Sequence, residues 1–358
     1  MALLSEVLIR DFRNISDQRL EFAVNLNVIV GQNGSGKSSL LEAVSVLGTG
    51  KAFTGATASD FVAKGCQSSM VTGTVQLAGC RVAVGVEKTR SATTCRVDGR
   101  SVRSASSLAA FMPLVSLDAQ MFQMAANAPA YRRAILDRTL FHVEQGYLVL
   151  FQRYFRALQN RNQLIRRSSK DEELRYWTEE FLLHGEELDR LRRKCVERLN
   201  VNLRTHSDLT ALGEVSLVYA AGWREGMTLA DGLKESKDRE RCLGATTVGP
   251  HRAGLKILLN GLPVRQTTSR GQSKLIACLI AEAQVRSLED NGGESPIILV
   301  DDLCAELDRA SQERSLTLLL RANRQVFITS IGDDHLAIPY SPYDVRKFHV
   351  KHGVFSVA

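Results

Sequence analysis

The chain has 358 residues, with 46 Lys and Arg against 39 Asp and Glu, a net charge of +7, 44% hydrophobic residues and 24% charged ones. These are globular proportions that exclude extensive disorder, and the basic excess permits nucleic-acid binding without requiring it. Seven scattered cysteines without a C-x-x-C pair argue against a disulfide framework or a zinc site; with no signal-peptide pattern at the start and no apolar run near the roughly 20 residues of a membrane span, a soluble cytoplasmic protein with no membrane partner is expected.

The first hundred residues read as strand-rich, with β-like runs over 7–9, 26–30, 71–77, 81–86 and 94–97 and a two-residue hairpin turn at Asp98-Gly99. The run over 26–30 is short, apolar and β-branched, which suits a buried parallel strand. It is followed by GQNGSGKSS, and Leu40, Leu41, Val44 and Leu47 then recur at helical spacing. In Gly31-Gln32-Asn33-Gly34-Ser35-Gly36-Lys37-Ser38-Ser39 the glycines allow backbone N–H groups to curl around a phosphate, and the helix N-terminus adds partial positive charge. Lys37 then reaches the β- and γ-phosphates, and the Ser38 hydroxyl ligates Mg²⁺. A nucleotide and Mg²⁺ are what this loop predicts.

From about residue 130 the period turns helical. Tyr147, Phe151, Tyr154 and Leu158 step by four, three and four, and Trp177, Phe181, His184, Leu188, Leu191 and Cys195 repeat the step. Two helices of heptad character around a polar turn predict an antiparallel helical hairpin, with His184 as a packing residue. Arg161, Arg166, Arg167 and Lys170 near its tip are candidate DNA-phosphate contacts, against the plainer reading of a solvated basic turn. Further on come strand-like alternation at Val215, Leu217 and Tyr219, a charged helix over 235–241, Gly249-Pro250-His251-Arg252, and a hairpin over 255–259 turning at Asn260-Gly261. Helices over 274–288 and 307–321 then alternate with strands over 297–300 and 325–329.

Four apolar residues at 297–300 deliver Asp301 and Asp302 to a sheet edge. Asp301 there is a Mg²⁺-side carboxylate, and Asp302 the candidate general base that polarises the attacking water. Ser269-Arg270-Gly271-Gln272, opening a helix, forms a second anion cradle. One nucleotide needs only one cradle, so the second predicts contact with the nucleotide of a partner subunit. The plainer reading of Ser269 is a helix N-cap.

The order P-loop, long insertion, Ser-Arg-Gly-Gln, apolar strand with two acids, then Glu306-Leu307-Asp308 resembles the ATP-binding-cassette ATPases, in the branch of the SMC heads. Asp11-Phe12-Arg13-Asn14, Leu41-Glu42-Ala43, Pro129 with Arg132-Arg133 and Leu136-Asp137, and Gly249-Pro250-His251-Arg252 narrow the resemblance to the RecF family of bacterial DNA repair proteins. The resemblance implies ATP-dependent binding of single- and double-stranded DNA at gaps, an ATP-driven homodimer and slow, DNA-stimulated ATP hydrolysis. It also implies action with RecR and RecO to direct RecA. It makes Lys37 and Ser38 phosphate and metal residues, Asp301 and Asp302 the metal-side acid and base, and Ser269, Gly271 and Gln272 the signature contacts made in trans. Departures are Ala128 for a glycine, Ala253 for an acid and Thr329-Ser330 for a switch histidine, with Gln120 the candidate Mg²⁺-sensing glutamine.

The expected architecture is an α/β P-loop head of the ATP-binding-cassette type, made from 1–129 and 246–358, with a mainly helical, coiled-coil-like domain over 130–245 inserted. The alternative functions are a cassette ATPase with a non-DNA role such as transport, and a small-molecule P-loop kinase. The kinase predicts no Ser-Arg-Gly-Gln element, and the transport role predicts a membrane-coupled signature.

Overall fold

A computed structural model describes residues 1–51, 53, 58–102, 106–124, 128–167, 171–205, 212–264, 268–321, 323–332 and 342–358. In chain order the elements are β1 (Leu3–Phe12), β2 (Ile15–Glu21), β3 (Leu26–Val30), α1 (Lys37–Thr49), β4 (Ser68–Leu77), β5 (Cys80–Thr89), β6 (Thr93–Val97), β7 (Arg100–Val102), α2 (Ser106–Ala109), β8 (Leu114–Leu117) and α3 (Ala119–Phe122). They continue with α4 (Pro129–Val143), α5 (Tyr147–Arg167), α6 (Asp171–Arg204), β9 (Val215–Ala220), α7 (Leu229–Leu243), β10 (Gly254–Leu259) and β11 (Leu262–Pro263). The last are α8 (Arg270–Glu289), β12 (Ile297–Val300), α9 (Arg309–Leu319), β13 (Val326–Ser330), β14 (Val345–Lys351) and β15 (Val354–Val357).

Two compact units result, one of Met1–Gln123 and Thr268–Ala358, the other of Met124–Thr205 and Gly213–Thr267. Both chain ends thus build the first unit. The boundary expected at 245/246 is displaced, because β10 pairs along its whole length with β9, from Gly254↔Ala220 to Leu259↔Val215. That pairing carries the Gly-Pro-His-Arg segment and its hairpin into the second unit.

In the first unit, the sheet β2-β1-β4-β5-β6-β7 is antiparallel throughout, and the sheet β15-β14-β3-β13-β12-β8 is parallel from β14 to β8. Helix α1 touches strands of both sheets and is buried on nearly every side, from Lys37 through Gly48. Its Leu40, Leu41, Val44 and Leu47 join the core with Val7, Ile9, Val71, Leu299 and Phe327. A helix packed on both faces cannot shift without disturbing two sheets, so the loop that precedes it has a fixed base. Strand β3 is buried at all five residues between β13 and β14, as the apolar run predicted.

The second unit holds the expected helical hairpin: α5 packs along α6, with Tyr154, Leu158, Phe181, Leu188, Leu191 and Cys195 buried. His184 is buried among them and meets Glu180 at 3.3 Å, consistent with a packing position. The unit also has the three-stranded sheet β11-β10-β9.

Candidate functional site

The phosphate loop runs from β3 into α1 and is braced from below. Gly31 N–H donates to Ser330 O at the end of β13 (3.1 Å), and Gly353 N–H donates to Ser35 O (2.7 Å). A Cβ on Gly31 would stand 2.5 Å from Val350 O, so the loop leaves β3 closer to β14 than any other residue allows. Gly36, at the N-cap of α1, has φ +121°, a conformation that side chains other than hydrogen rarely adopt. Asn14, from the Asp-Phe-Arg-Asn segment, accepts from Ser39 Oγ at 2.8 Å. Next to it Arg13 pairs with the fully buried Glu42 of α1 at 2.6 Å. These contacts account for both sequence fragments as braces of the loop.

The Lys37 ammonium donates to Gly31 O (2.6 Å) and Gln32 O (3.0 Å), curled over the loop's own carbonyls. Its burial lowers the lysine pKa, and the opposing charges of Asp302 and Asp301 raise it in part. Ser38 Oγ donates to Asp301 Oδ1 at 3.0 Å, so the two residues expected to share a cation meet directly. Thr329 Oγ1 donates to the same carboxylate oxygen at 2.7 Å and accepts from Asp302 N–H at 2.8 Å. Thr329, where the resemblance leads to the expectation of a switch histidine, thus ties both acids to the end of β13.

One hydroxyl and one carboxylate would suit a hard divalent cation, which would take its other oxygens from phosphate and water. Among the described residues no cluster of three or more His, Cys, Asp or Glu forms an all-protein metal site. Gln120 lies on α3, exposed, three residues beyond the end of β8, where Leu117 O accepts from Asp301 N–H at 2.8 Å.

The second cradle caps α8. Ser269 Oγ accepts from Gln272 N–H (3.2 Å), and Gln272 Oε1 accepts from Ser269 N–H (2.9 Å), a reciprocal capping box. The N-cap reading is what these bonds show: the cap orders the turn that opens α8. An open cleft of about 450 Å³ lies here, lined by Ser269, Gly271, Gln272, Glu306, Asp308 and Arg314. Asp308 caps α9 by accepting from Ser311 N–H at 2.7 Å, which is why that helix starts at Arg309 instead of 307.

The DNA-contact candidates fare unevenly. Arg161 is buried, with its guanidinium on Glu240 (2.7 Å) and Thr246 (2.6 Å), so it is withdrawn as a phosphate contact. A heptad-compatible position explains this: the side chain faces inward and found a carboxylate on α7. Arg166 is exposed and donates to Gly244 O at 3.1 Å, and Arg167 is exposed. Lys170 lies outside the described residues.

Gly-Pro-His-Arg proves to be a packing element of the second unit. Gly249 has φ +130°, and a Cβ there would stand 2.7 Å from Phe181 Cζ. His251 Nδ1 meets Tyr154 Oη at 2.8 Å and Nε2 meets Thr246 O at 3.2 Å. Burial pushes the His251 pKa down to about 4, helped by the charges of Arg252, Arg133 and Arg161. The folded pKa lies below the unfolded value of about 6.5, so protons bind the unfolded chain preferentially as pH falls. The contribution of His251 to stability should be complete above pH ~6.5 and be lost between ~6.5 and ~4, on the order of 3 kcal/mol. Urea melts of the wild type and His251→Gln across that window should show the slope reduced in the variant; an unchanged slope refutes the assignment.

Residues 3–352 match the family model described as the RecF/RecN/SMC N-terminal domain. The chain is 35% identical over 359 residues to the DNA replication and repair protein RecF of Thioalkalivibrio sulfidiphilus, covering 99% of each. A solved structure of the recombination mediator protein RecF-ATP in the RecFOR pathway superposes with TM-score 0.89 at 25% identity, covering 100% of this chain and 98% of that one. An Smc head domain of Pyrococcus furiosus with an extended coiled coil, at TM-score 0.57 and 16% identity, shares the fold.

Proposed function

The chain belongs to the RecF/RecN/SMC N-terminal domain family as a RecF-type DNA replication and repair ATPase, and from that premise we propose that its two cradles make a composite, ATP-gated DNA clamp. Full-length likeness to RecF proteins leaves the transport alternative without support. Gly31 to Ser39 hold the triphosphate of one ATP, with Lys37 at the β- and γ-phosphates and Ser38 and Asp301 on Mg²⁺. Asp302 orients the attacking water, and Ser269, Gly271 and Gln272 reach the ATP of a second copy. The observation that carries this is the meeting of Ser38, Asp301 and Thr329 at one carboxylate oxygen beside Lys37. Because the second cradle comes from another copy, each site is complete only when both heads close, so an isolated head hydrolyses slowly.

DNA, with a RecR- and RecO-type partner set and RecA downstream, is the substrate of this reading. Gln120 is its Mg²⁺-sensing side chain, and 124–205 with 213–267 form its inserted unit. Closure of two heads gathers cationic side chains, so log affinity for gapped DNA should fall linearly with log salt, more steeply with ATP than without. Lys37→Met removes the cation at the β- and γ-phosphates; ATP affinity should fall at least ~10-fold, and the ATP-dependent part of the salt slope should vanish with it. Equilibrium ATP binding and fluorescence-anisotropy titrations at several salt concentrations check both. A Lys37→Met protein that keeps wild-type ATP affinity would place the nucleotide elsewhere.

A further inference from the structure

Lys274 lies on α8 one turn after Arg270, and its side chain is buried. A buried ammonium ordinarily sits against a carboxylate. This one donates instead to two backbone carbonyls, Asp302 O at 2.8 Å and Ala305 O at 2.5 Å, and lies over the Phe122 ring at 5.1 Å. The loop it holds is the one that carries the candidate base. Asp302 has φ +56° and Glu306 φ +69°, so two residues other than glycine occupy the left-handed region within five positions. Such a loop keeps its shape only when its surroundings over-determine it.

Two further contacts tie the same turn of α8 to the same loop. Arg270 pairs with Glu306 at 2.8 Å, and Gly271 lies so close beneath Glu306 O that an added Cβ would stand 3.0 Å away. Toward its other end α8 is pinned as well: the fully buried Arg324, just before β13, bridges Glu282 and Glu289 of α8. The helix is thus held at its N-terminal turn by the loop that follows Asp301, through Lys274 and Arg270, and toward its C-terminus by Arg324 just before β13.

We propose that Lys274 is a positioning residue that couples the Ser-Arg-Gly-Gln turn to the candidate base Asp302 of the same chain. The proposal rests on the composite-site reading above. When the α8 N-terminus engages the nucleotide of a second copy, any shift of the helix moves the Lys274 ammonium, and with it the carbonyls of Asp302 and Ala305. The chain's own hydrolytic geometry thereby registers whether its partner's ATP is gripped. Lys274 touches neither nucleotide in this scheme; it acts through the loop.

Lys274→Met keeps the side-chain length and removes the donors. In the full-length chain its ATP dissociation constant should stay within about two-fold of wild type, and the ATP-induced dimer should persist in light scattering. The kcat should fall about 10-fold with KM little changed, and amide hydrogen exchange should quicken over 302–308. Lys274→Gln, which keeps one donor, should recover part of the loss, and it carries the same test if Lys274→Met does not fold. Wild-type kcat in a folded variant overturns the proposal; so does a parallel loss of kcat, ATP affinity and thermal stability, which marks a packing residue. The underlying reading fails separately: Asp302→Asn turning over at the wild-type rate would remove Asp302 as the base while the Lys274 result still reports on the loop.

Discussion

Asp302→Asn should abolish ATP turnover, by about 100-fold or more, while leaving ATP affinity nearly unchanged and trapping the ATP-bound dimer. Apart from the charge that acts on Lys37, the substitution leaves the loop's contacts in place. Asparagine tolerates the left-handed φ of +56° at this position. The bonds from Asp302 N–H to Thr329 Oγ1 and from Lys274 to Asp302 O involve only the backbone. What changes is one exposed carboxylate, the group that the proposed mechanism assigns to orient and polarise water. Single-turnover hydrolysis beside equilibrium ATP binding measures the two effects independently. Wild-type single-turnover rates would show that another group, or the triphosphate itself, takes the proton.

Ser269→Arg should eliminate the ATP-dependent gain in DNA affinity while Lys37 still binds nucleotide, because a bulky cation would fill the cleft that the composite-site proposal gives to the partner's nucleotide. The variant also loses the reciprocal cap with Gln272, which costs about 1 kcal/mol of helix stability. Ser269→Ala separates the two causes, since it removes the cap without filling the cleft. The expected order in ATP is wild type, then Ser269→Ala slightly weaker, then Ser269→Arg at the ATP-free affinity and salt slope. If Ser269→Arg dimerises and binds DNA like wild type, head closure around the second cradle does not gate binding.

What could be read from residues alone follows a physical division. The phosphate loop and the acid pair were legible because their chemistry demands particular residues at fixed local spacing, and the structure brings Lys37, Ser38, Asp301 and Asp302 together. The helical hairpin was legible because its packing period is local. Strand β2 was not: only Ile15 and Leu20 of its seven residues are buried, as befits a sheet edge, so its apolar signal is thin. The β10 hairpin was assigned to the wrong unit because its partner β9 precedes a whole helix, and pairing across such a distance leaves no mark in either segment. Arg161 resembled a surface charge because nothing in its vicinity announces Glu240, 79 residues later. The role of Lys274 is not legible in the sequence, where only its apolar neighbours Leu275, Ile276, Ala277 and Cys278 hint at a buried stretch.

The interleaving of the two chain ends also governs how the protein can be made. The phosphate-loop strand β3 emerges early, yet its sheet neighbours β13 and β14 are among the last segments translated. The intervening β9–β10 unit can pair its strands while the ribosome still holds everything after them, since domains generally form as units during synthesis. The phosphate-loop strand, by contrast, needs contacts of very high sequence separation, so it is completed only after β13 and β14 have been made. A chain truncated before β13 should therefore fail to form the proposed nucleotide site.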